Sequence, residues 1–508
     1  MTSYLDQTYN NMDVAELFRC CRSGDIEKLR YLIDVKDVEL NVRDFWDSTP
    51  LYYACLCGHE DMVELLLKSG SRCEANTFDG ERCLYGALTD EIRRILEKYN
   101  AVNSDCMRRE SYYEFLRRCF EQGAFADVHF VVQEDTVPAH RVILSARSLY
   151  LAEMFNTKWK EDTVFLPKQL FNSGQFRNML KYFYTGKLDV PFQECDAYLY
   201  LASLFQLDEL KKLIETRVEN AKTFGESKRG FVRVTMICID PSMERRNLKE
   251  EFTKLAEVAL PDPFRFQQLP EMSLFISQML GDNENALDDL STLSDVCFHV
   301  EDFEFHCNKV FFYHRSHYFK ALFDFSNTAT AADQRRNLTG NYSINIRDLT
   351  PDIFAVVVAY MYTDDAKIPS DFEGIFNVIC AAEMYLLPGL KRLCINSMIE
   401  ILDVTNVVQA VRVSRTFSSP RLEAECCCYI AEYMDELAND QSLIELILED
   451  ARGIEERQET DSIPLVDDIR SHLYSSLLPN YSSENPTSSS EQRLEALEHM
   501  LRNIGLEC

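Results

Sequence analysis

Apolar and polar residues alternate over DVHFVV (127–132) and again over DVCFHV (295–300), a period of two that predicts half-buried strands. The alternation resumes at 136–140 and 303–307, each reached through a short hairpin. The period then changes to that of a helix, giving two helices, a further strand near Val164 or Ile344, and three more helices. The two stretches are copies of one pattern at an offset of 168: Asp127 falls on Asp295, Arg141 on Lys309, Arg147 and Ser148 on Arg315 and Ser316, Tyr150 on Tyr318, and Phe155 on Phe323. The offset becomes 178 where Tyr182 to Thr185 and Pro191 meet Tyr360 to Thr363 and Pro369, so the second copy carries its extra residues around Asn327 to Gly340. Helices clustered on a short sheet make each copy a small α+β unit.

A shorter period precedes them. The run Thr49-Pro50-Leu51-Tyr52-Tyr53-Ala54, then Gly58-His59, then Met62, Val63, Leu65, Leu66 and Leu67, reappears 33 positions on as Arg82 to Ala87 and 33 back with Phe18 under Leu51 and Cys21 under Ala54. Thr49 suits a helix cap and Pro50 a first turn, while Leu51 and Ala54 face the next unit. Beyond the second copy, Ile401, Leu402, Val404, Val407, Val408, Val411, Leu422, Ile430, Leu437, Leu443 and Ile447 keep helical spacing. Between the copies, FVRVTMICI (231–239) reads as a strand followed by an acidic helical pattern with no motif. PNYSSENPTSSSE is a Ser/Pro linker, and the last helix sets Leu494, Leu497, Leu501 and Ile504 on one face.

These patterns resemble known modules. T-P-L-Y-Y-A resembles the ankyrin signature T-P-L-H-x-A, with Asn41 to Asp47 and Asn76 to Gly80 as fingers between helix pairs. Such a stack offers finger tips carrying Asp44, Phe45, Trp46, Asp47, Phe78 and Asp79, either to recruit a partner or as a brace for the next domain. The 168-residue repeat, with Asp127-Val128, Ala139-His140-Arg141-Val142, Ser148, Tyr150, Met154-Phe155 and Tyr184-Thr185-Gly186, resembles the BTB/POZ domain, a protein-interaction module. The second copy departs from it at Asn308, where His is usual, and at Asp364, where Gly is usual. The helices after it resemble the BACK-like extension of adaptor families. As a whole the chain resembles the family of ankyrin repeat and BTB/POZ domain-containing proteins.

The implied fold is multidomain, α and α+β: a short ankyrin helical stack (1–105), a first BTB/POZ domain (106–222), a helical insert or linker (223–285), a second BTB/POZ domain (286–400), a BACK-like helical extension (401–478), and a Ser-rich linker with a terminal helix (479–508). The implied function is that of an interaction adaptor, the substrate-recognition subunit of a cullin-3 RING ubiquitin ligase. The ankyrin repeats would recruit an unknown protein substrate and the first BTB would contact the cullin. The alternative is a BTB-mediated scaffold or transcriptional co-regulator. In BTB domains that bind cullin-3 the contacts centre on the helix ending at M-F and an apolar-x-Glu element. That implies Phe155, Trp159 and Glu161 in the first copy; the second, Leu322-Phe323-Asp324-Phe325-Ser326-Asn327, has no such Glu. A competing reading has Trp159 packing on its own helix.

Asp127 with Arg141 and Asp295 with Lys309 are both 14 apart, and the resemblance puts both couples at the BTB interface. Three arrangements stay open: an intramolecular pairing of the copies, a homodimer, and a charge pair within each domain. With 53 Lys and Arg against 83 Asp and Glu, a net charge of −30, the chain repels a phosphate backbone, which excludes nucleic acid as the expected partner. The 18 cysteines form no CxxC pair and read as reduced thiols. No apolar run is long enough to span a bilayer and the N-terminus is polar, so the expectation is a cytoplasmic chain, with the nucleus as a second compartment, and no membrane partner. His140 sits near Ser145 and Ser148, but no orienting carboxylate completes a catalytic constellation and the second copy lacks the His. With no nucleotide loop or metal-ligand array either, the chain is expected to be no enzyme and to need no cofactor.

Overall fold

The computed structural model describes residues 8–34, 38, 40–44, 46, 48–69, 71, 73, 78–98, 111–167, 171–227, 235–239, 248–265, 267, 290–328, 342–454, 462–477 and 487–506. These form two units, residues 1–367 with 384–389 and residues 368–383 with 390–508.

The first unit opens with three helix pairs: α1 (Thr8–Ser23) and α2 (Ile26–Asp34), α3 (Pro50–Cys57) and α4 (Glu60–Lys68), α5 (Phe78–Gly86) and α6 (Asp90–Lys98). Their signature residues do what their chemistry predicts. Thr49 Oγ1 accepts the Tyr52 N–H, Pro50 occupies the first turn, and Gly58 ends α3 at φ +82, a left-handed conformation that costs glycine nothing. Leu17, Leu51, Ala54, Val63, Leu66 and Ile92 run through one continuous core across the pairs, as expected where each repeat buries its apolar face only on a neighbour. Thr49→Ala is expected to lower stability by about 1 kcal/mol, read as a shift in the thermal midpoint of the repeat region. The finger expected at Asn76 to Gly80 is corrected in part: the backbone of residues 78–80 begins α5, and Asn76 and Thr77 lie outside the described residues.

The first copy of the 168-residue repeat follows as α7 (Ser111–Gln122), β1 (Val128–Val132), β2 (Asp135–Ala139), α8 (Arg141–Arg147), α9 (Leu149–Thr157), β3 (Thr163–Leu166), α10 (Ser173–Thr185), β4 (Leu188–Pro191), α11 (Cys195–Leu204) and α12 (Asp208–Ser227). Its sheet runs β2-β1-β3, antiparallel at β1/β2 and parallel at β1/β3. Between the copies lie β5 (Met236–Ile239) and α13 (Leu248–Ala259). The second copy repeats the order with β6 (Val296–Val300), β7 (Phe303–Cys307), α14 (Lys309–Arg315), α15 (His317–Thr328), β8 (Tyr342–Ile346) and α16 (Pro351–Thr363). Its sheet, β7-β6-β8, has the same senses. Alternation put Val128, Phe130 and Val132 on the core face of one sheet, and Val296, Phe298 and Val300 on that of the other.

The segment between the copies is shared by both. Strand β5 pairs antiparallel with β4 of the first copy. Helix α13 lies along α16 and also touches α8, while α7 lies along α10 and also touches α14. Each long helix therefore packs on one copy and reaches across to the first helix of the other's hairpin, and α13 stands to the second copy as α7 stands to the first.

In the second unit α17 (Phe372–Met384), α18 (Pro388–Glu400), α19 (Val407–Thr416), α20 (Pro420–Glu432), α21 (Met434–Leu437), α22 (Gln441–Gly453), α23 (Pro464–Leu477) and α24 (Thr487–Asn503) are all helical. Leu422, Cys426, Ile430, Leu443, Ile447 and Ile469 form its core. Arg415 is paired with both Asp450 and Glu423. The final helix α24 docks on α21 and α23 through Leu497, Met500 and Leu501. Among the described residues no helix is long and apolar enough to cross a membrane.

Candidate interaction site

His140 is 2% exposed. Its backbone N–H donates to Tyr184 Oη at 2.8 Å, the Tyr184 hydroxyl lies 2.8 Å from Nδ1, and Nε2 lies 2.8 Å from the Ala124 carbonyl. A carbonyl only accepts, so the proton is assigned to Nε2 and the Tyr184 hydroxyl donates to Nδ1. Burial pushes the imidazole down to about 4, and the ring stays neutral. Asn308 reproduces the same three bonds. Its N–H donates to Tyr362 Oη at 2.9 Å, its Oδ1 accepts from the Tyr362 hydroxyl at 3.0 Å, and its Nδ2 donates to the Leu293 carbonyl at 2.8 Å. An amide has the acceptor and donor that a neutral imidazole has, which is why the position changes identity without changing the fold. His140 is a buckle between the segment before β1 and α10.

The spacing of 14 proves to be a hydrogen bond to the backbone. Asp127 Oδ1 accepts the Arg141 N–H at 2.7 Å and Asp295 Oδ1 accepts the Lys309 N–H at 2.7 Å. Each carboxylate caps the first free donor of a short helix, α8 or α14. The Arg141 guanidinium turns elsewhere: it donates to the Lys160 and Glu161 carbonyls at 3.1 and 2.8 Å, lies 5.6 Å from the Phe155 ring centre and is 3.7 Å from Asp162. A charge pair between Asp127 and Arg141 side chains is thus corrected to a capped helix: the carboxylate is taken by the backbone N–H, which would otherwise lack an acceptor, and the guanidinium finds backbone carbonyls instead. Lys309 Nζ lies 3.3 Å from the Tyr342 ring centre and 5.6 Å from that of Phe125 in the first copy. Burial, with the Asp127 charge adding to it, pushes Asp295 up to about 6.

Arg141 thereby pins the loop Lys158 to Asp162. Within it Trp159 is half-buried, its ring edge-on to Phe130 at 5.7 Å and tilted on Phe155 at 6.0 Å, and its backbone N–H donates to the Met154 carbonyl at 2.7 Å. Lys160 and Glu161 are exposed. Phe155, expected among the contact residues, is 5% exposed and belongs to the core. Its position on α9 faces β1, so its ring supports Trp159 and is not offered to a partner.

In the ankyrin finger Asp44 Oδ1 accepts the N–H groups of Trp46 and Ser48 at 2.9 and 3.0 Å, and Oδ2 accepts the Tyr53 hydroxyl at 2.6 Å. Asp44 therefore shapes the turn that holds out Trp46, which is 68% exposed. Phe45 and Asp47 lie outside the described residues.

Two residues at the contact between the copies were missed by sequence reasoning. Phe125 holds φ +64, a strained value for a bulky side chain, and its ring meets Tyr313 at 5.2 Å and Phe323 at 6.2 Å in the second copy. Phe252 of α13 meets Phe311 at 5.5 Å. Around them the Tyr112 hydroxyl donates to the Tyr362 carbonyl at 2.6 Å, Arg118 to the His314 carbonyl at 3.3 Å, and Arg147 of the first copy is ion-paired with Glu251.

Comparison with known proteins agrees with this layout. The ankyrin repeat family, in three copies, matches residues 12–103, and the BTB/POZ domain family matches residues 116–222 and 285–402. A BTB/POZ domain-containing protein 3 of Schizosaccharomyces pombe is 26% identical over 486 residues, spanning 93% of this chain and 84% of that one. An ankyrin repeat-containing protein of Saccharomyces cerevisiae is 28% identical over 485 residues, spanning 90% and 88%. Kelch-like protein 40 of Xenopus laevis is 22% identical over 180 residues, 35% of this chain and 28% of that one. Both matched families are non-catalytic interaction modules, which makes the chain a protein-interaction adaptor. It belongs with the ankyrin repeat and BTB/POZ domain proteins, carrying three of the first module and two of the second.

Proposed function

We propose that the chain is the substrate-recognition subunit of a cullin-3 RING ubiquitin ligase, with the first BTB copy holding the cullin and the ankyrin fingers holding a protein substrate. The observation that carries this reading is the pinned loop: Arg141 fixes the carbonyls of Lys160 and Glu161 while the Glu161 side chain remains exposed beside a seated Trp159. Preorganised aromatic and charged residues are what binding hot spots are made of. The second copy has no equivalent Glu, so one cullin per chain is expected. On the substrate side Trp46 is the anchor, held out by the Asp44 turn.

In the same reading the two copies are each other's dimer partner, supported by the reciprocal reach of α7 and α13, and the intact chain sediments as a monomer. A dimer at micromolar concentration would remove that part. The setting is cytoplasmic, with the nucleus second, and fractionation checks it.

Glu161→Lys is the decisive variant, since an exposed charge reversal spares the core. It is expected to weaken binding of purified cullin-3 by at least about 30-fold, the factor that corresponds to a hot spot of about 2 kcal/mol. Trp159→Ala should do the same with some loss of stability, because its ring is part of the packing around Phe130. If the intact chain binds no cullin-3, the ligase reading falls and a BTB-mediated scaffold or co-regulator stands in its place.

A further inference from the structure

The β6/β7 hairpin of the second BTB copy carries four metal-ligating side chains on its outer face. Cys297 is directly opposite His306, and His299 directly opposite Glu304, in the antiparallel register. Positions two apart share a face and cross-strand neighbours lie about 5 Å apart at Cβ, so the four form the corners of one square. Phe298, Phe305 and Val300 fill the opposite, core face.

The ligand atoms are already gathered. Cys297 Sγ, a Glu304 oxygen and a His306 nitrogen all lie within 4.8 Å of one another. Glu304 sits between the imidazoles, with Oε2 3.7 Å from His306 Nε2 and Oε1 3.5 Å from His299 Nδ1. A tetrahedral ion with bonds of about 2.0–2.3 Å holds its ligand atoms about 3.3–3.8 Å apart, so the spacing leaves room for an ion after small side-chain rotations. The sulfur forms the floor at 1% residue exposure, and Glu304 and His306 are open to solvent, which gives an ion a path in.

The first copy is an internal control for whether the fold demands these residues. At the same four places, 168 positions earlier, stand His129, Val131, Thr136 and Pro138, paired in the same register. The hairpin forms equally well with a ligating side chain at only one of the four places, His129. A Cys, His, His and carboxylate set is borderline-soft and suits zinc over magnesium or calcium.

We propose that Cys297, His299, Glu304 and His306 form a zinc-class divalent ion site that staples β6 to β7 in the second BTB copy. Four protein ligands leave no open position, so the site is structural. On binding, the Cys297 thiol releases its proton to solvent as the sulfur–metal bond forms. Because the thiol must lose its proton and the imidazoles must be neutral to bind, the ion is held more weakly as pH falls.

The test uses the full reduced chain with Zn²⁺, and with Co²⁺ as the spectroscopic probe, beside His306→Ala, Glu304→Gln, Cys297→Ser and the first-copy control His129→Ala. After dialysis against micromolar Zn²⁺, wild type and His129→Ala are expected to retain one equivalent more than Cys297→Ser. His306→Ala and Glu304→Gln are expected to bind at least about tenfold more weakly, since even a group behind a ligand is worth that much. The thiolate-to-cobalt absorption band should be present in wild type and lost in Cys297→Ser. Equal zinc content in all five proteins, or a cobalt band that survives Cys297→Ser, overturns the proposal. Should Cys297→Ser not fold, the exposed His306→Ala and Glu304→Gln decide alone, and unchanged zinc affinity in both counts against the site.

Discussion

Phe252→Ala is expected to cost the folded chain about 3–5 kcal/mol, the loss found when a fully buried aromatic is truncated and its cavity cannot collapse. Phe252 is completely buried on α13 and meets Phe311, which in turn meets Tyr362 at 4.5 Å. Phe115 of α7 approaches the same Phe311 from the first copy at 6.3 Å. Two helices from different parts of the chain thus converge on one ring of α14. If that convergence holds the copies together, Phe115→Ala and Phe252→Ala will couple in a double-mutant cycle by about 0.5–3 kcal/mol, as neighbours sharing a partner do. Urea unfolding of the full chain, followed by tryptophan and far-ultraviolet signals, reads both. A Phe252→Ala cost below about 1 kcal/mol would show that α13 contributes little beyond covering a surface.

The importance of α13 was not legible because the copies were aligned at an offset of 168, and the helix that completes the second copy lies at an offset of 137 from α7. Between SYYEFLRRCFEQ and LKEEFTKLAEVA the shared signal is slight: Glu114-Phe115 on Glu251-Phe252 and Arg117 on Lys254. Residues on such a helix are selected by two surfaces at once, one on each copy, so little apolar periodicity is common to both. Strand β5 was readable as a strand from its apolar run, but its pairing with β4 of the first copy depends on a contact across sequence that alternation does not encode. The core strands were legible because one slip of register would turn Phe130 and Phe298 to solvent.

The site was legible in part for a different reason. The 14-residue spacing of Asp127 with Arg141 and Asp295 with Lys309 is a true structural constraint, but the partner of each carboxylate is a backbone N–H that no residue type reveals. The guanidinium of Arg141 was free for another task, and holding the loop of Trp159 is that task. Trp46 was legible as a finger tip, whereas the role of Asp44 in shaping the turn follows only from its three accepted hydrogen bonds.

His140 gives the second large effect, and the second copy supplies its control. His140→Leu leaves the Tyr184 hydroxyl proton and the Ala124 carbonyl without partners in a buried place, although the backbone N–H of residue 140 still reaches Tyr184 Oη, and is expected to cost about 2–4 kcal/mol. His140→Asn copies what Asn308 already does and should cost under about 1 kcal/mol at pH 7. Wild type and His140→Asn differ further in acid. The folded imidazole is held down at about 4 against about 6.5 in the unfolded chain, so the unfolded state takes up a proton first and stability falls as pH drops from 6.5 to 4, by about 3 kcal/mol in all. An amide does not titrate, so the asparagine variant escapes this loss. His314, also pushed down to about 4 by burial and the neighbouring charges, acts in the same direction. Asp295, pushed up to about 6, acts in the opposite one, since its folded form gains stability as pH falls from 6 toward 4. Asp295 remains in wild type and variant alike and cancels in the difference, whereas His314, which the His140 ring helps to hold down, is eased in the variant and adds to its gain in acid. The stability of His140→Asn relative to wild type should therefore rise by about 3 kcal/mol between pH 7 and pH 4. A difference that stays flat with pH would mean that the folded imidazole takes up a proton as readily as the unfolded one, and that Nδ1 is not held as the acceptor of the Tyr184 hydroxyl.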